Sequence, residues 1–260
     1  MSNENKTEIN SQEHKSLLTI LYEKNNPTPD EFRELVSSID SSTILAKVFL
    51  LEGVPFVFQN NRMRYIIFKE QVADRFGVGS QDVCIIGSAK LGFSPSPRKY
   101  GKTFQEKSDV DVVIISEHWF HLGSNALFSE LNTSKHKLRI GTDQHRTNLK
   151  NVELTVNAGH IVTIQDAIRN FVNNNFNPSL LSDSNPLKKE IFEKIASTAG
   201  LFLALEPSVF VSKIRCRFFR YWKAAEGYYA NTLKVLSKEF NKKKNPATSD
   251  DADDGEQDEE

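Results

Sequence analysis

Hydrophobic residues along the chain follow helical spacing first, strand spacing next and helical spacing again. Up to about residue 77 they recur every three or four positions, the period of an amphipathic helix. Thr28, Pro29 and Glu31 form the signature of a helix start with a capping box, and Gly77 is placed to end a later helix. Two helices are therefore predicted, with the apolar faces Phe32, Leu35, Val36, Ile39 and Tyr65, Phe68, Val72, Phe76.

Two short β-branched runs then replace the helical period. "DVCIIG" ends abruptly at Gly87, and "DVDVVIIS" begins at Asp109, so each run predicts a buried strand. The alternating stretch "NVELTVNAG", residues 151–159, predicts a third strand. Between the first two strands, residues 89–108 are rich in Gly, Ser, Pro and Lys. They predict a long loop that either folds away or closes as a lid.

The helical period returns in the second half of the chain. Trp119 to Leu131 and "PLKKEIFEKIASTAGLFLAL" predict helices, and Ser208 to Phe240 is the longest periodic stretch. In that stretch Lys213, Arg217 and Arg220 would share one basic helix face. This face is either a solvated surface or a wall that contacts phosphates. The whole pattern predicts an α+β fold with a mixed β-sheet core, flanking helices and a C-terminal helical region.

Composition divides the chain into five predicted segments. They are a disordered N-terminus at 1–13, an N-terminal helical segment at 14–58, a core at 59–165, a C-terminal helical region at 166–240 and a disordered acidic tail at 241–260. Asp250 to Glu260 holds eight acidic residues and no basic ones, so the remainder carries +7 of a total net charge of −1. Such a run predicts a solvated tail, and covering a basic groove of the same chain is its second, less common role.

Several classes of protein are excluded by composition. No stretch reaches the roughly 18 consecutive apolar residues of a membrane span, and the first residues lack the apolar segment of a secretory signal. We therefore expect a cytoplasmic protein with no membrane partner. Cys84 and Cys216 are the only cysteines, which argues against a disulfide framework or a cysteine-based zinc site. The histidines show no pairing typical of a metal site.

The acidic pair at the start of the second strand carries the main chemical prediction. Side chains two apart on a strand point to the same face, so Asp109 and Asp111 should project together. Two carboxylates on one face repel each other unless a cation lies between them. Mg²⁺ takes oxygen ligands, typically one or two carboxylates together with substrate phosphates. The pair therefore predicts a site for Mg²⁺, or for the similar ion Mn²⁺, that performs phosphoryl or nucleotidyl transfer.

Residues at the end of the preceding strand predict a phosphate-binding turn. Gly87 lets a backbone come close to a phosphate, and exposed N–H groups with the Ser88 hydroxyl can bind its oxygens. Lys90 is a candidate to add positive charge near the same phosphates, as are Lys213 and Arg217 from the basic face. Arg98, Lys99 and Lys102 of the loop are further candidates.

These motifs together carry a family resemblance. A strand that ends in Gly-Ser, followed by a strand with Asp-x-Asp among apolar residues, resembles the polymerase-β-type nucleotidyltransferase superfamily. "GSAKLGFS" with "SDVDVVII" is further similar to bacterial nucleotidyltransferases of antiviral defence or toxin-antitoxin loci. The resemblance covers about residues 60 to 160, and only residues 83–116 are specific.

The resemblance implies a small mixed sheet with a helical companion domain, and a site with two metal ions. In that family the Gly-Ser turn contacts the triphosphate, and a third acidic residue on a later strand joins the Asp-x-Asp pair. Glu153 in "VELTV" fits that third position, and Asp143 competes for it in a turn-like context. The implied catalytic and metal-binding residues are thus Asp109, Asp111 and Glu153.

Two functions remain open at this point. The first is metal-dependent transfer of a nucleoside monophosphate from a nucleoside triphosphate to an acceptor hydroxyl on RNA, protein or a nucleotide. The resemblance associates that activity with antiviral defence or a toxin-antitoxin pair, and hence with a partner protein from the same locus. The second is a catalytically inactive nucleotide- or RNA-binding module that acts through protein partners.

Overall fold

The computed structural model of the protein describes residues 26–39, 41–58, 61–105, 108–141, 153–156, 160–205 and 213–244. The predicted disordered N-terminus, Asp143 and the acidic tail from residue 245 onward lie outside the described residues. Residues 241–244, predicted as the start of the tail, belong instead to the last helix.

Helices make up most of the described chain, and strands supply a central sheet. In chain order the helices are α1 Pro29–Ser38, α2 Ser42–Leu45 with a π-helical continuation Ala46–Leu51, α3 Arg62–Phe76, α4 Ser88–Leu91, α5 Glu117–Gly141, α6 Ile164–Val172, α7 Pro186–Leu205 and α8 Trp222–Lys244. The strands are β1 Val83–Ile86, β2 Asp109–Ile115, β3 Glu153–Val156, β4 His160–Thr163, β5 Asn175–Phe176 and β6 Lys213–Phe219. The α+β class is confirmed.

The first helices begin and end where local signals predict. Thr28 caps α1, its hydroxyl accepts a hydrogen bond from the backbone N–H of Glu31, and the Glu31 carboxylate accepts one from the N–H of Thr28. This reciprocal capping box is the one predicted from the sequence. α3 ends at Gly77, which adopts the left-handed conformation with φ of 64°. Glycine reaches that conformation without the steric penalty of a side chain, so the helix ends there.

The central sheet has four strands in the order β1-β2-β6-β5. β1 is antiparallel to β2, β6 is parallel to β2, and β5 is antiparallel to β6. β3 and β4 pair with each other in a separate antiparallel two-stranded sheet. The central sheet is therefore mixed, and its middle strands are β2 and β6.

One predicted helix is wrong over its first part. The stretch from Ser208 to Phe240 was predicted to be helical, but Lys213–Phe219 forms strand β6, and the helix α8 begins at Trp222. Pairing along the whole of β2 provides β6 with backbone hydrogen bonds that its own sequence does not specify. The segment 166–240 accordingly contributes two strands, β5 and β6, to the core sheet rather than helices alone.

The two faces of the sheet are covered by different helices. Val110, Val112 and Ile114 of β2 belong to a buried cluster with side chains of α3, α5 and α7. Val113 and Ile115 belong to a second cluster with side chains of α1, α2 and α8. Each fully buried apolar side chain contributes roughly 1.5–3 kcal/mol, so both faces are strongly anchored. On this second face, β2 begins with two partly buried aspartates, Asp109 and Asp111, instead of apolar residues.

Within the described residues, no single helix has both the length and the apolar character needed to cross a bilayer. The two segments Ser42–Phe58 and Arg62–Phe76 are long and apolar enough when taken together, but the chain bends by 105° between them.

Candidate functional site

Asp109 and Asp111 project from the same face at the start of β2. They alternate with Val110 and Val112, which are buried on the opposite face. Asp109 lies opposite Lys213 in the parallel pair with β6, and Asp111 lies opposite both Arg215 of β6 and Ile86 of β1. The Asp109 side chain is 29% exposed and that of Asp111 is partly buried. Two carboxylates therefore share one half-buried patch.

Gly87 brings the turn after β1 against the second carboxylate. Its φ of 70° and ψ of −144° lie in a region of backbone conformation that essentially only glycine adopts. A β-carbon at this position would lie 3.2 Å from Oδ2 of Asp111. The next residue, half-buried Ser88, begins the short helix α4. The Gly-Ser turn and the Asp-x-Asp pair, about twenty residues apart in sequence, are thus neighbours in space.

A guanidinium group supplies the cation that the paired carboxylates require. Nη2 of Arg215 lies 2.6 Å from Oδ2 of Asp109, a short charge-assisted ion pair. The Arg215 side chain is 57% exposed, so water screens the attraction and the side chain has room to move. The chain therefore neutralises part of the acidic pair by itself.

The charge of Asp111 is disfavoured in the folded protein. Burial raises the pKa of its carboxyl above the usual 3.8, and the nearby Asp109 raises it further, while Arg215 and Arg217 oppose the increase. The raised pKa means that burial and like charge outweigh the two arginines. A further cation close to Asp111 would lower this pKa and favour the charged carboxylate.

The basic residues predicted from the sequence reach the site from a strand rather than from a helix. Lys213, Arg215 and Arg217 occupy alternate positions of β6, on the same face as the aspartates. Nη1 of Arg217 donates to the Tyr228 hydroxyl at 2.9 Å and more weakly to Oδ1 of Asn175 at 3.4 Å. Arg217 is thus held close to the carboxylates but is directed toward α8.

Arg215 and Tyr228 are the site residues that sequence reasoning missed. The sequence "KIRCRFF" alternates basic and other residues with a period of two, which is the signal that would have indicated a strand. Arg220, predicted to share the basic face, instead forms an ion pair with Glu117 at the other end of β6. Its Nη2 lies 2.5 Å from the carboxylate, outside the acidic pair.

The structure does not support the phosphate-binding role predicted for Lys90. Its side chain is 1% exposed, and its ammonium group donates a hydrogen bond to the backbone carbonyl of Glu52. Burial lowers the pKa of Lys90 from 10.5 to about 8. The residue is a buried link between α4 and the end of the π-helix. α4 directs the Lys90 side chain into the protein interior, so the residue has a structural role. The sequence alone does not reveal this direction.

The predicted third carboxylate lies on a different sheet. Glu153 begins β3, pairs with Thr163 of β4, and its side chain lies outside the described side chains. Among the described residues, no group of three or more His, Cys, Asp or Glu side chains is placed to hold a metal ion. The third ligand therefore remains a prediction.

The long loop between β1 and β2 packs back onto helices. Phe93 and Thr103 form an isolated antiparallel bridge, and the Tyr100 hydroxyl donates to the Pro29 carbonyl. The Tyr100 ring also packs edge-on against Phe240 of α8, with ring centroids 4.7 Å apart. These contacts hold the tip of the loop against α1 and α8. The sequence left two alternatives for this loop, folding away or closing as a lid, and the described part of the loop is folded away.

The donor set fits one Mg²⁺ or Mn²⁺ ion and does not by itself complete a site for two. Two carboxylates on one face, next to a glycine turn, supply the hard oxygen ligands that Mg²⁺ takes, and phosphates and water complete its shell. A second ion would need a further acidic ligand. Arg215 must also release Oδ2 of Asp109 before that oxygen can bind an ion.

Comparisons with protein-family models, with curated proteins and with solved structures find no match for this chain. The resemblance to polymerase-β-type nucleotidyltransferases therefore stays a prediction from the residues of the two strands and their turn.

Proposed function

We propose that the chain binds a nucleoside triphosphate with Mg²⁺ or Mn²⁺ and transfers its nucleoside monophosphate to an acceptor hydroxyl. The observation that carries this proposal is the approach of Gly87 to Asp111, which joins a candidate phosphate-binding turn to a carboxylate pair. The acceptor oxygen forms a bond to the α-phosphorus while the bond from that phosphorus to the bridging oxygen breaks. Pyrophosphate leaves with the electron pair, and the acceptor proton passes to a carboxylate, for which Glu153 is the predicted residue.

Each described side chain has a defined part in this proposal. Asp109 and Asp111 hold the ion, while the N–H groups of the turn and the Ser88 hydroxyl bind the outer phosphates. The bound ion would neutralise charge that develops on the phosphates. Arg215, once released from Asp109, contributes positive charge to the same phosphates. Catalysis would then depend on positioning and charge neutralisation.

A second function, a nucleotide- or RNA-binding module without turnover, is favoured by a different observation. Arg215 already occupies Oδ2 of Asp109, and the described residues include no third acidic ligand. In such a module Arg215 would remain in place and the acidic pair would be structural. A role in antiviral defence or in a toxin-antitoxin pair depends on the resemblance alone, in either case.

The two functions are separated by incubation with each labelled nucleoside triphosphate, Mg²⁺ and cellular RNA or protein. For the enzyme, the native chain releases pyrophosphate and labels an acceptor, while Asp109→Asn and Asp111→Asn abolish both. Asp74→Asn, at an exposed position of α3, is the matched control and should keep full activity. A native chain that binds the nucleotide but releases no pyrophosphate would leave only the binding module. Equal labelling by the native chain and both site variants would remove the aspartates from the mechanism.

A further inference from the structure

A cavity of about 580 Å³ lies between α8, the end of α6 and the tip of the loop after β1. Small-molecule sites in proteins typically have volumes of roughly 300–1,000 Å³, so this cavity has the size for one nucleotide. It is an open surface pocket, in which Arg169, Lys223 and Asn231 are exposed. The lining residues that matter for its chemistry are Arg169, Asn173, Asn174, Lys223, Tyr228 and Asn231.

The polar lining of this cavity selects a class of ligand. Arg169 and Lys223 carry positive charge, and three asparagines and a tyrosine add hydrogen-bonding groups. None of the described lining residues is acidic. Arg169 and Lys223 give this lining a positive charge, which favours an anionic ligand such as a phosphate ester. Carboxamides present a donor and an acceptor side by side, the pattern that pairs with the edge of a nucleobase.

Contacts lead from the cavity to Arg217, on the same strand as the Arg215 that pairs with Asp109. Tyr228 lines the cavity, and its hydroxyl accepts a hydrogen bond from Arg217 at 2.9 Å. The guanidinium carbon of Arg217 also lies 5.0 Å from the centre of the Tyr228 ring. Arg217 follows Arg215 by two strand positions, about 7 Å along β6, and Arg215 contacts Asp109. The cavity thus adjoins Arg217, which lies on the face of β6 that also carries Arg215.

Asn175 holds Arg217 from the sheet side. The residue is 1% exposed, its Oδ1 accepts from Arg217, and within the described part of the chain its Nδ2 has no hydrogen-bond partner. Buried donors without a hydrogen-bond partner are rare in native proteins, and each requires an explanation. Arg217 is therefore positioned between two polar groups, one of which lines the cavity.

We propose that this cavity binds the acceptor of the transfer reaction, and that the acceptor is a nucleotide, either free or at the end of an RNA strand. Arg169 and Lys223 bind its phosphate, and the asparagines bind its base. The inference rests on the proposed function, because it names the acceptor of that reaction. It excludes a protein hydroxyl as the main acceptor, since a side chain of Ser or Tyr carries neither phosphate nor base.

The test measures acceptor binding separately from triphosphate binding. Nucleoside monophosphates and a short single-stranded RNA are titrated against the full chain without triphosphate or metal, and Mg²⁺ with a nucleoside triphosphate is titrated in a parallel series. Lys223→Glu and Asn231→Leu should each weaken binding of monophosphate or RNA by about tenfold or more, since they remove a charged or hydrogen-bonded contact. Binding of RNA but not of free monophosphates would identify the strand end as the ligand.

Matched controls lie on the same helix outside the cavity. Lys234→Glu and Asn241→Leu change the same residue types at exposed positions of α8, and should leave binding unchanged within about twofold. Circular dichroism confirms that each variant keeps its helix content. For RNA, Lys223→Glu should also reduce the slope of log affinity against log salt concentration by about 1.

The results separate failure of the acceptor site from failure of the proposed function. Equal binding of monophosphates and RNA by the native chain, Lys223→Glu and Asn231→Leu would overturn the cavity proposal, as would no binding at all. Label that appears on protein without any nucleotide acceptor would also overturn it. If these variants lose acceptor binding but Asp109→Asn still releases pyrophosphate at the native rate, the cavity proposal stands and the proposed mechanism at the aspartates fails.

Discussion

Replacing Arg215 with glutamine tests whether an arginine and a metal ion compete for the same carboxylates. In the native chain Nη2 of Arg215 lies 2.6 Å from Oδ2 of Asp109, and the two side chains are 57% and 29% exposed. Exposed ion pairs typically contribute about 0.2–1 kcal/mol, and a short bond to a charged group adds to this. We expect Arg215→Gln to reduce the free energy of unfolding by about 1 kcal/mol without metal.

Once Arg215 is replaced, the repulsion between Asp109 and Asp111 determines how strongly a bound metal ion stabilises the folded state. Asp109 and Asp111 are two strand positions apart, about 7 Å, where two like charges repel by roughly 0.6 kcal/mol in water and about 2.4 kcal/mol at an effective dielectric constant of 20. An ion that binds both carboxylates relieves this repulsion. At a concentration ten times its dissociation constant, a ligand stabilises the folded state by about 1.4 kcal/mol.

Thermal unfolding with increasing Mg²⁺ measures this competition. Without metal, Arg215→Gln should unfold about 2–4 °C below the native chain, the shift typical of 1 kcal/mol at this size. With Mg²⁺ the variant should recover most of the difference, because the ion no longer competes with an arginine. Its midpoint for Mg²⁺ should therefore lie at a lower concentration than that of the native chain.

A matched control comes from the other end of β6. Arg220 also forms a short ion pair, with Glu117, and is 38% exposed, so Arg220→Gln removes a similar contact away from the acidic pair. Its stability should not depend on Mg²⁺ more strongly than that of the native chain. If Mg²⁺ stabilises the native chain, both arginine variants and Asp109→Asn by equal amounts, the aspartates do not bind the ion and the reasoning is refuted.

Three further predictions concern single residues. Because the pKa of Asp111 is raised in the folded state, the native chain should lose stability as pH rises from 3.8, the usual pKa, through the raised value, and Asp111→Asn should remove this loss. Urea unfolding at a series of acid pH values measures it. Parallel curves of stability against pH for the native chain and the variant would contradict the prediction. Gly87→Ala should destabilise the fold by about 1–3 kcal/mol in urea denaturation and weaken triphosphate binding, because the backbone conformation of Gly87 is strained for alanine. The control Gly200→Ala, in open space on α7, should be neutral or stabilising by up to about 1 kcal/mol in the same assay. Folding lowers the pKa of Lys90 from 10.5 to about 8, so the free energy of unfolding should increase by on the order of 3 kcal/mol as pH rises from 8 to 10.5. Lys90→Met should abolish this increase. The same dependence of stability on pH in the variant would show that another group causes it.

The elements predicted best are those whose boundaries depend on a few adjacent residues. The capping box of Thr28 and Glu31 and the left-handed Gly77 act within one helical turn, so they can be identified without knowledge of the rest of the chain. The strands β1 and β2 are short β-branched runs between turn residues, and both lie where predicted. Local signals were sufficient in these cases because tertiary packing agrees with them.

Strand β6 could not be assigned in the same way, because its sequence fits two periods. Ile214 and Phe218 are four apart, as on a helix face, yet Lys213, Arg215 and Arg217 alternate with less polar residues, as on a strand. The choice is made by hydrogen bonding along the whole of β2, a partner about a hundred residues earlier in the chain. Such a non-local pairing decides between two local patterns that the sequence alone leaves equal.

The candidate site likewise contains some residues that local sequence signals predict and others that only the folded chain brings into place. The shared face of Asp109 and Asp111 follows from strand alternation, and the nearby Gly87 follows from the end of the preceding strand, so both were predictable. Arg215 was not, because its place beside Asp109 depends on the pairing of β2 with β6. The inward direction of Lys90 likewise depends on how α4 packs over Glu52.

The position of Arg215 changes what the acidic pair means. Two neighbouring carboxylates require positive charge, and that requirement alone led from sequence to a metal ion. The chain meets part of it with the Arg215 guanidinium, and the pKa of Asp111 remains raised chiefly because burial disfavours its charged form. A metal–triphosphate complex that displaced the arginine would therefore have to offset both the ion pair with Asp109 and the cost of keeping Asp111 ionised in a partly buried position.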